Sequence, residues 1–522
     1  MQIKGQLLQT MKELNEWPRF RLRLFLEGIL VGILAGLVIS LFRWALEYAT
    51  QYRHLLYESL LHSSWTGHLA WFVLLLAAAY LLYRLSRYEP MAVGSGITQV
   101  KGVILGVMRM HWFRILWVKL VGCIMAIGMG LSLGRQGPSI QLGAVVGQGM
   151  SRILGRTRME ERYLITAGAG AGLAAAFNAP LAGVVFALEE LHRNFSSAVL
   201  ATSMAAAMVA TVVSRVIFGQ QAVIHLGMVP IFPLQYLWLV VVVAVLVGIC
   251  GVGFNFGLLH IHRFYDLPVF PHPYVRIAFA LVLAGILGYS LPQVLGGGEE
   301  LINSLSGVPI SLFMVLVILA GKFIFTLLSY GCGVPGGFFL PMLVIGALLG
   351  ATLGIVFIDM GLMDTDYLLN IVIIAMAAFF SSSVHSPITA TVLIMEMTGS
   401  YEHLLVLGTA SLIALVVSDI CHGQPIYDVL LRNSLQQKRP VIPQQERRNI
   451  IELTICSASF AEGKRVRDIP WPEHALLVDI KRGAVQMIPA PDMRLRAGDF
   501  IYVLSDNVEA AAKVRQLVEE AS

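Results

Sequence analysis

Charge is scarce in this 522-residue chain. Asp, Glu, Lys and Arg make up 13% of it, about half of the roughly 25% usual for soluble domains, so packing in water does not account for the composition. Cysteine is equally sparse. Its five copies, Cys123, Cys250, Cys332, Cys421 and Cys456, stand singly and four lie in or beside apolar stretches, which argues against a disulfide framework or a zinc site. His260, His262 and His272 cluster between apolar runs, yet no carboxylate or cysteine completes a metal-ligand spacing, and no metal or redox cofactor is expected. The segment from Met1 to Arg23 is polar and basic and lacks a short apolar run before a small-residue cleavage site, so no cleaved signal peptide is expected. The net charge of +5 is assigned to membrane topology rather than to nucleic acid binding.

What is abundant is apolar sequence, at 57% of residues. Runs such as Leu24 to Leu46, Trp71 to Leu82, Tyr236 to Gly253 and Ile277 to Leu291 recur as far as Ser418 and predict a mostly α-helical chain that crosses the membrane many times. Several runs fall short of the roughly 20 residues that a crossing helix needs, which predicts helices that stop midway around a protected cavity. Basic clusters at Arg84 to Arg87, Arg152 to Arg162 and Arg432 to Arg439 are expected to face the cytoplasm.

The membrane part, residues 1–431, contains an internal repeat. Pro-Ser-Ile-Gln-Leu-Gly-Ala-Val-Val-Gly from Pro138 parallels Pro-Met-Leu-Val-Ile-Gly-Ala-Leu-Leu-Gly from Pro341, 203 residues on. Asn178-Ala-Pro with Glu189 parallels His385-Ser-Pro with Glu396, 207 residues on. Duplicated halves with Gly/Pro-interrupted helices commonly enclose a midplane transport site, so transport is the leading functional class. An intramembrane serine hydrolase built on Ser381 to Ser383 and His385 is the alternative of another class; it lacks an evident third orienting group.

A desolvated anion requires stabilisation that still releases it, which favours partial charges such as helix N-termini, with glycine admitting close approach to the backbone. Three Gly-rich breaks lead into hydrophobic stretches: Gly94-Ser-Gly-Ile, Gly134-Arg-Gln-Gly-Pro and Gly336-Gly-Phe-Phe-Leu-Pro. In order and spacing they resemble the three signature segments of the CLC chloride channel/transporter family. Ala174-Ala-Ala-Phe-Asn-Ala-Pro-Leu-Ala-Gly running on to Glu189 and Glu190, Val118-Lys119, Glu396-Met-Thr and Pro425-Ile-Tyr extend the resemblance over roughly residues 20–435.

The resemblance implies inverted halves, a multi-pass cell-membrane homodimer rather than an enzyme, and one chloride path per protomer. It implies a chloride held by the hydroxyls of Ser95 and Tyr427 and the backbone N–H groups of Phe338 and Phe339. Gln136 stands where the family commonly has a gating glutamate, and an amide neither ionises nor carries a proton. The family's inner proton-relay glutamate corresponds to Glu190, which on local sequence could equally pair with His192 or Arg193 at a solvated helix end. Gln136 predicts passive chloride flux or weak proton coupling, with proton-coupled chloride/proton exchange as the alternative.

After residue 431 the composition changes. Residues 432–449 read as a linker, and residues 450–522 as a small cytosolic α+β module with strands at Ile451 to Cys456, Ala475 to Ile480, Val485 to Ile488 and Phe500 to Leu504 before a closing helix from Val508 to Glu520. Through Gly463-Lys464, Leu477 to Lys481, Gly483, Ile488 to Asp492 and Leu495 to Asp499 the module resembles the TrkA C-terminal domain. That resemblance implies a regulatory domain that pairs as a dimer and can take a small ligand such as a cyclic dinucleotide. A plain docking module remains the alternative, since no phosphate-binding Gly loop is present.

Overall fold

The computed structural model describes residues 2–193, 196–220, 223–227, 229–305, 311–437, 449–456, 459–473, 475–482, 485–505 and 508–519. The chain divides into two units, Met1–Ser434 and Leu435–Ser522. Among the described residues of the first, nine helices are long and apolar enough to cross a membrane, from Arg21–Leu61 to Tyr401–Ile420. Between them lie the short helices that the broken apolar runs predict: Ile97–Ile104, Pro180–Phe186, Glu299–Ser304 and Pro387–Thr398. The chain is a multi-pass membrane protein.

The repeat is visible as local structure. Helix Arg158–Phe177 begins on a capping box between Thr157 and Glu160 and ends on Asn178 with φ of 57°; helix Leu368–Val384 ends on His385 with φ of 63°. A short helix opened by proline follows each, Pro180–Phe186 and Pro387–Thr398, because proline suits the first helical position where an N–H would be unpaired. The correspondence reaches further than the sequence match. Gly94 and Gly96 have φ of 72° and 90°, and Gly296 and Gly298 have 61° and 88°; the last glycine of each pair opens a short helix.

Equivalent residues of the halves also face each other. Gly134 and Gly337 pair as an antiparallel bridge, with Gly134 N–H donating to the Gly337 carbonyl at 2.5 Å and Gly337 N–H to the Gly134 carbonyl at 3.1 Å. Glu189 accepts from the N–H groups of Ile388 and Thr389 at 3.3 and 2.7 Å, while Glu396 accepts from those of Leu181 and Ala182 at 3.2 and 2.8 Å. Each half caps the proline-initiated helix of the other. Such mutual pairing of equivalent residues is the contact pattern of a two-fold axis.

In the second unit, strands β1 (Asn449–Thr454), β2 (Ala475–Arg482), β3 (Val485–Met487) and β4 (Phe500–Ser505) form an antiparallel sheet in the order β1-β4-β2-β3, followed by helix Val508–Glu519. Leu453, Ile455, Ile480, Ile501, Val503, Val514 and Val518 form its core. The strands and closing helix lie within about two residues of their predicted bounds. The linker expected from residue 432 begins later, because helix Ile426–Gln437 runs through Arg432; residues 438–448 and Gly483 lie outside the described residues.

Candidate functional site

The three Gly-rich breaks, far apart in sequence, are stitched together by backbone hydrogen bonds. Gly94 N–H donates to the Val334 carbonyl and Gly336 N–H to the Gly94 carbonyl, each at 3.0 Å, while the Gly134–Gly337 pair joins the second break to the third. At Gly137 a β-carbon would stand 2.8 Å from the Ser95 carbonyl oxygen and 3.0 Å from its Cβ, so glycine is what lets the second break close onto the first.

Two buried lysines hold the breaks from behind. Lys119 donates to the carbonyls of Ala92 and Gly94 at 3.0 and 2.6 Å, and Lys322, its counterpart 203 residues on, to those of Val294 and Gly296 at 2.9 and 2.8 Å. Turning these carbonyls toward ammonium groups satisfies acceptors that would otherwise be buried unpaired.

Around this junction the predicted site residues collect. Ser95 is 2% exposed, and its Oγ accepts from the Ile97 N–H at 3.3 Å. Phe338 caps and Phe339 opens helix Phe339–Asp359, so their N–H groups belong to the first turn, which has no intrahelical partner. The Phe338 ring stacks on Tyr427 with centroids 5.5 Å apart and planes at 23°; Phe339 packs among Phe177, Phe186 and Phe380.

Gln136 opens helix Gln136–Ile153 beside the Gly134–Gly337 bridge. Two polar side chains here are fully buried without a hydrogen-bond partner among the described residues: the Tyr427 hydroxyl and both amide atoms of Gln136. Two long helices thus begin at one buried point, with unpaired donors beside them, an arrangement suited to a small anion. A cavity of about 550 Å³ adjoins it, lined by Arg53, Arg135, Leu133 and Leu340 among others. Arg135 is held there by Glu299 at 2.9 Å and Glu47 at 3.4 Å.

Glu190 is not at a solvated helix end. It is 2% exposed, its Oε1 lies 2.6 Å from Lys101 Nζ, and its Oε2 accepts from Ser386 Oγ at 3.1 Å. Of its sequence neighbours, Arg193 pairs with Asp428 and His192 meets Thr166. Sequence reasoning missed Lys101, Asp428 and Ser386. A lysine inside the apolar stretch from Ile97 to Ile104 was the available signal, because an unpaired charge there would be costly.

The other candidates resolve differently. His385 does have an acidic neighbour, Asp419, at 3.6 Å, but its Nε2 meets Ser418 at 3.0 Å, and Ser418 donates its own proton to the Ser382 carbonyl at 2.9 Å. The histidine then donates to Ser418 rather than accepting its proton, so this pair is not a nucleophile activated by a base. Ser381 is committed to the Ser411 carbonyl. Both ring nitrogens of His272 are engaged, with Tyr83 and the Tyr274 N–H, and no group of three metal-ligating side chains occurs among the described residues.

Comparison with known proteins agrees with this architecture. The family model described as "Voltage gated chloride channel" matches residues 73–419. The H(+)/Cl(-) exchange transporter ClcA of Vibrio campbellii is 36% identical over 68% of this chain and 78% of its own length, and that of Vibrio cholerae 36% over 71% and 81%. A solved structure described as a slow cyanobacterial Cl-/H+ antiporter is similar with a TM-score of 0.76 and 32% identity, covering 80% of this chain and 99% of that one. A eukaryotic CLC transporter shares the fold, at a TM-score of 0.68 and 23% identity. With its paired halves and converging breaks, the chain belongs to the voltage gated chloride channel (CLC) family and is a membrane anion transporter.

Proposed function

We propose that this chain exchanges chloride for protons across the membrane, binding chloride between Ser95, Tyr427 and the backbone N–H groups of Phe338 and Phe339. The observation that carries the binding site is the Tyr427 hydroxyl, a donor buried without an acceptor among the described residues, beside an unpaired helix start. Neutral hydroxyls and amides hold a halide without trapping it. The exchange reading is supported by the names of relatives that are 32–36% identical, and by Glu190, a buried carboxyl tied through Lys101 to Asp428 beside Tyr427, which can serve as the inner proton relay.

Gln136 limits the coupling. Its amide carries no proton, so the outer proton step does not pass through this side chain, and exchange is expected to be loose. The same observation favours a second reading, passive chloride flux, which the sequence placed first and the relatives' names do not favour. The test is purified protein in liposomes with chloride efflux and proton uptake recorded together. Chloride movement that drives protons uphill supports exchange; chloride movement without protons supports passive flux; neither movement overturns both. Gln136→Glu is expected to make flux fall as pH rises, and an unchanged pH response removes Gln136 from gating.

The second unit is proposed as a cytosolic regulatory module of TrkA C-terminal type, and the chain as a homodimer. The four-stranded antiparallel sheet with its packed helix is compatible with such a module. A shift in unfolding temperature with cyclic dinucleotide tests ligand binding, and the mass of the detergent-solubilised protein tests the dimer.

A further inference from the structure

Chloride binding by hydroxyls and amides gives the buried cation Lys101 no part. Lys101 is 1% exposed, and its ammonium lies 2.6 Å from Glu190 Oε1 and 2.5 Å from Asp428 Oδ1. The other Asp428 oxygen takes Arg193 at 2.5 Å, and the other Glu190 oxygen takes Ser386 Oγ at 3.1 Å. Two cations thus meet two carboxylates, and every carboxylate oxygen has a partner, which is the condition under which a buried ionic cluster holds its geometry.

The positions of the partners give the cluster its meaning. Lys101 sits on helix Ile97–Ile104, which starts immediately after Ser95 and Gly96; Asp428 directly follows Tyr427 on helix Ile426–Gln437. One ammonium therefore ties the segment that presents one hydroxyl to the segment that presents the other. Neither segment is self-sufficient. A helix of 8 residues is below the length at which helices persist by themselves, and its N-cap, Gly96, has no side chain to bond the first turn. Its repeat counterpart, Glu299–Ser304, follows Gly297 in place of Ser95 and carries Asn303 where Lys101 would fall 202 residues on, so the tie exists only in the half that supplies the hydroxyl.

We infer that Lys101 is a positioning residue of the anion path, fixing the span between the Ser95 and Tyr427 hydroxyls through its bridge to Asp428, with Glu190 as the second anchor. The inference rests on the chloride-site reading above. A fixed span matches one ion radius, so the bridge acts on selectivity as well as affinity: when it is broken, the short helix and Tyr427 separate and larger halides are accommodated.

The experiment first locates bromide in the full-length wild-type protein by anomalous diffraction and titrates chloride by calorimetry. Absence of halide between Ser95 and Tyr427 defeats the site reading and this inference with it. Given a bound halide, Lys101→Met is expected to weaken chloride binding roughly tenfold, the effect of loosening one charge-accepted hydrogen bond, and to lower the chloride-over-iodide preference in liposome flux. Lys101→Arg is expected to restore the preference in part. Loss of folded protein changes the active fraction but leaves that preference where it was, so the ratio separates positioning from structure. Unchanged affinity and preference in Lys101→Met overturn the inference while leaving the chloride site standing. Should that variant not fold, Asp428→Asn reads the same bridge from its other end, and an unaltered preference there also overturns it.

Discussion

Replacing Tyr427 by Phe separates the chloride site from ordinary core packing. The side chain is fully buried, its ring stacks on Phe338 at 5.5 Å, and its hydroxyl has no acceptor among the described residues. Phenylalanine keeps the ring and the stacking, so the fold loses only a polar atom that burial had penalised; burying an unpaired hydroxyl costs about 1–3 kcal/mol. Unfolding temperature in chloride-free buffer should therefore stay the same or rise. Chloride binding should move the other way. A hydrogen bond to a charged group contributes about 1.5–3 kcal/mol, so the dissociation constant should rise by roughly 10- to 150-fold. Calorimetric titration gives the affinity, and thermal unfolding with and without chloride gives the stability; the chloride-induced stabilisation should shrink in step with the affinity. Unchanged chloride affinity together with lower stability in chloride-free buffer would refute the argument and make the hydroxyl a structural group.

Three further expectations concern the scaffold. Lys322→Met removes the donor to the Val294 and Gly296 carbonyls and should destabilise the protein by about 1–3 kcal/mol, read as a lower unfolding temperature in detergent; Lys119→Met should do the same at Ala92 and Gly94. Glu189→Ala and Glu396→Ala each uncap the opposite half's proline-initiated helix, at about 0.5–2 kcal/mol apiece, and near-equal losses in unfolding free energy would reflect the two-fold relation. In the second unit, burial alone would raise the Asp499 carboxyl, but Arg482 at 2.7 and 2.6 Å and the Arg496 N–H at 2.9 Å outweigh it and hold its pKa below the usual carboxylate range. A depressed acid stabilises the fold above its unfolded pKa of about 3.9 and loses that stabilisation as pH falls through the folded value. Hydrogen-exchange protection of Phe500–Ser505 in the whole protein should therefore fall on acidification below about pH 4, and Asp499→Asn should flatten that dependence.

The sequence marks backbone events better than side-chain meetings. Proline at Pro138, Pro180, Pro341 and Pro387, and glycine at the three breaks, are local constraints on φ and on hydrogen bonding, so their spacing exposed the repeat and the helix interruptions directly. The residues at the breaks were legible for the same reason. Lys101 was not, because its partners stand 89 and 327 residues away and pairing across such separations is settled by tertiary packing. For Glu190 the sequence left two readings open, an inner relay or a local pair with His192 or Arg193; the turn from Ala187 to His192 directs the carboxyl inward to Lys101 and Ser386, away from the local pair. Helix Ile426–Gln437 runs into the linker expected from residue 432 because Gln, Arg and Asn tolerate helix and give no stop signal comparable to Gly or Pro.

The symmetry of the scaffold and the asymmetry of its side chains do different jobs. Because Gly134 and Gly337 are equivalent and bond to each other, the two-fold axis passes through the bridge, and any helix that starts beside it in one half has a mate starting beside it in the other. Convergence of two positive helix ends on one buried point is thus a consequence of duplication, with no separate coincidence required. A symmetric site, however, would present the same groups to an ion approaching from either side. The halves differ at the positions that matter: Gln136 corresponds to Phe339, Ser95 to Gly297, Lys101 to Asn303 and Glu190 to Met397. At these positions the first half carries the hydroxyl and the ionisable groups, whereas the pairs that fix the backbone itself, Lys119 with Lys322 and Glu189 with Glu396, occur in both halves. On the proposed chloride site, backbone N–H groups provide the partial charges, and the first half, with Tyr427 and Asp428, provides what distinguishes one end of the path from the other. Substitutions that act on backbone pairing should accordingly impair transport in both directions, and those at Ser95, Lys101 or Glu190 should alter the two directions unequally.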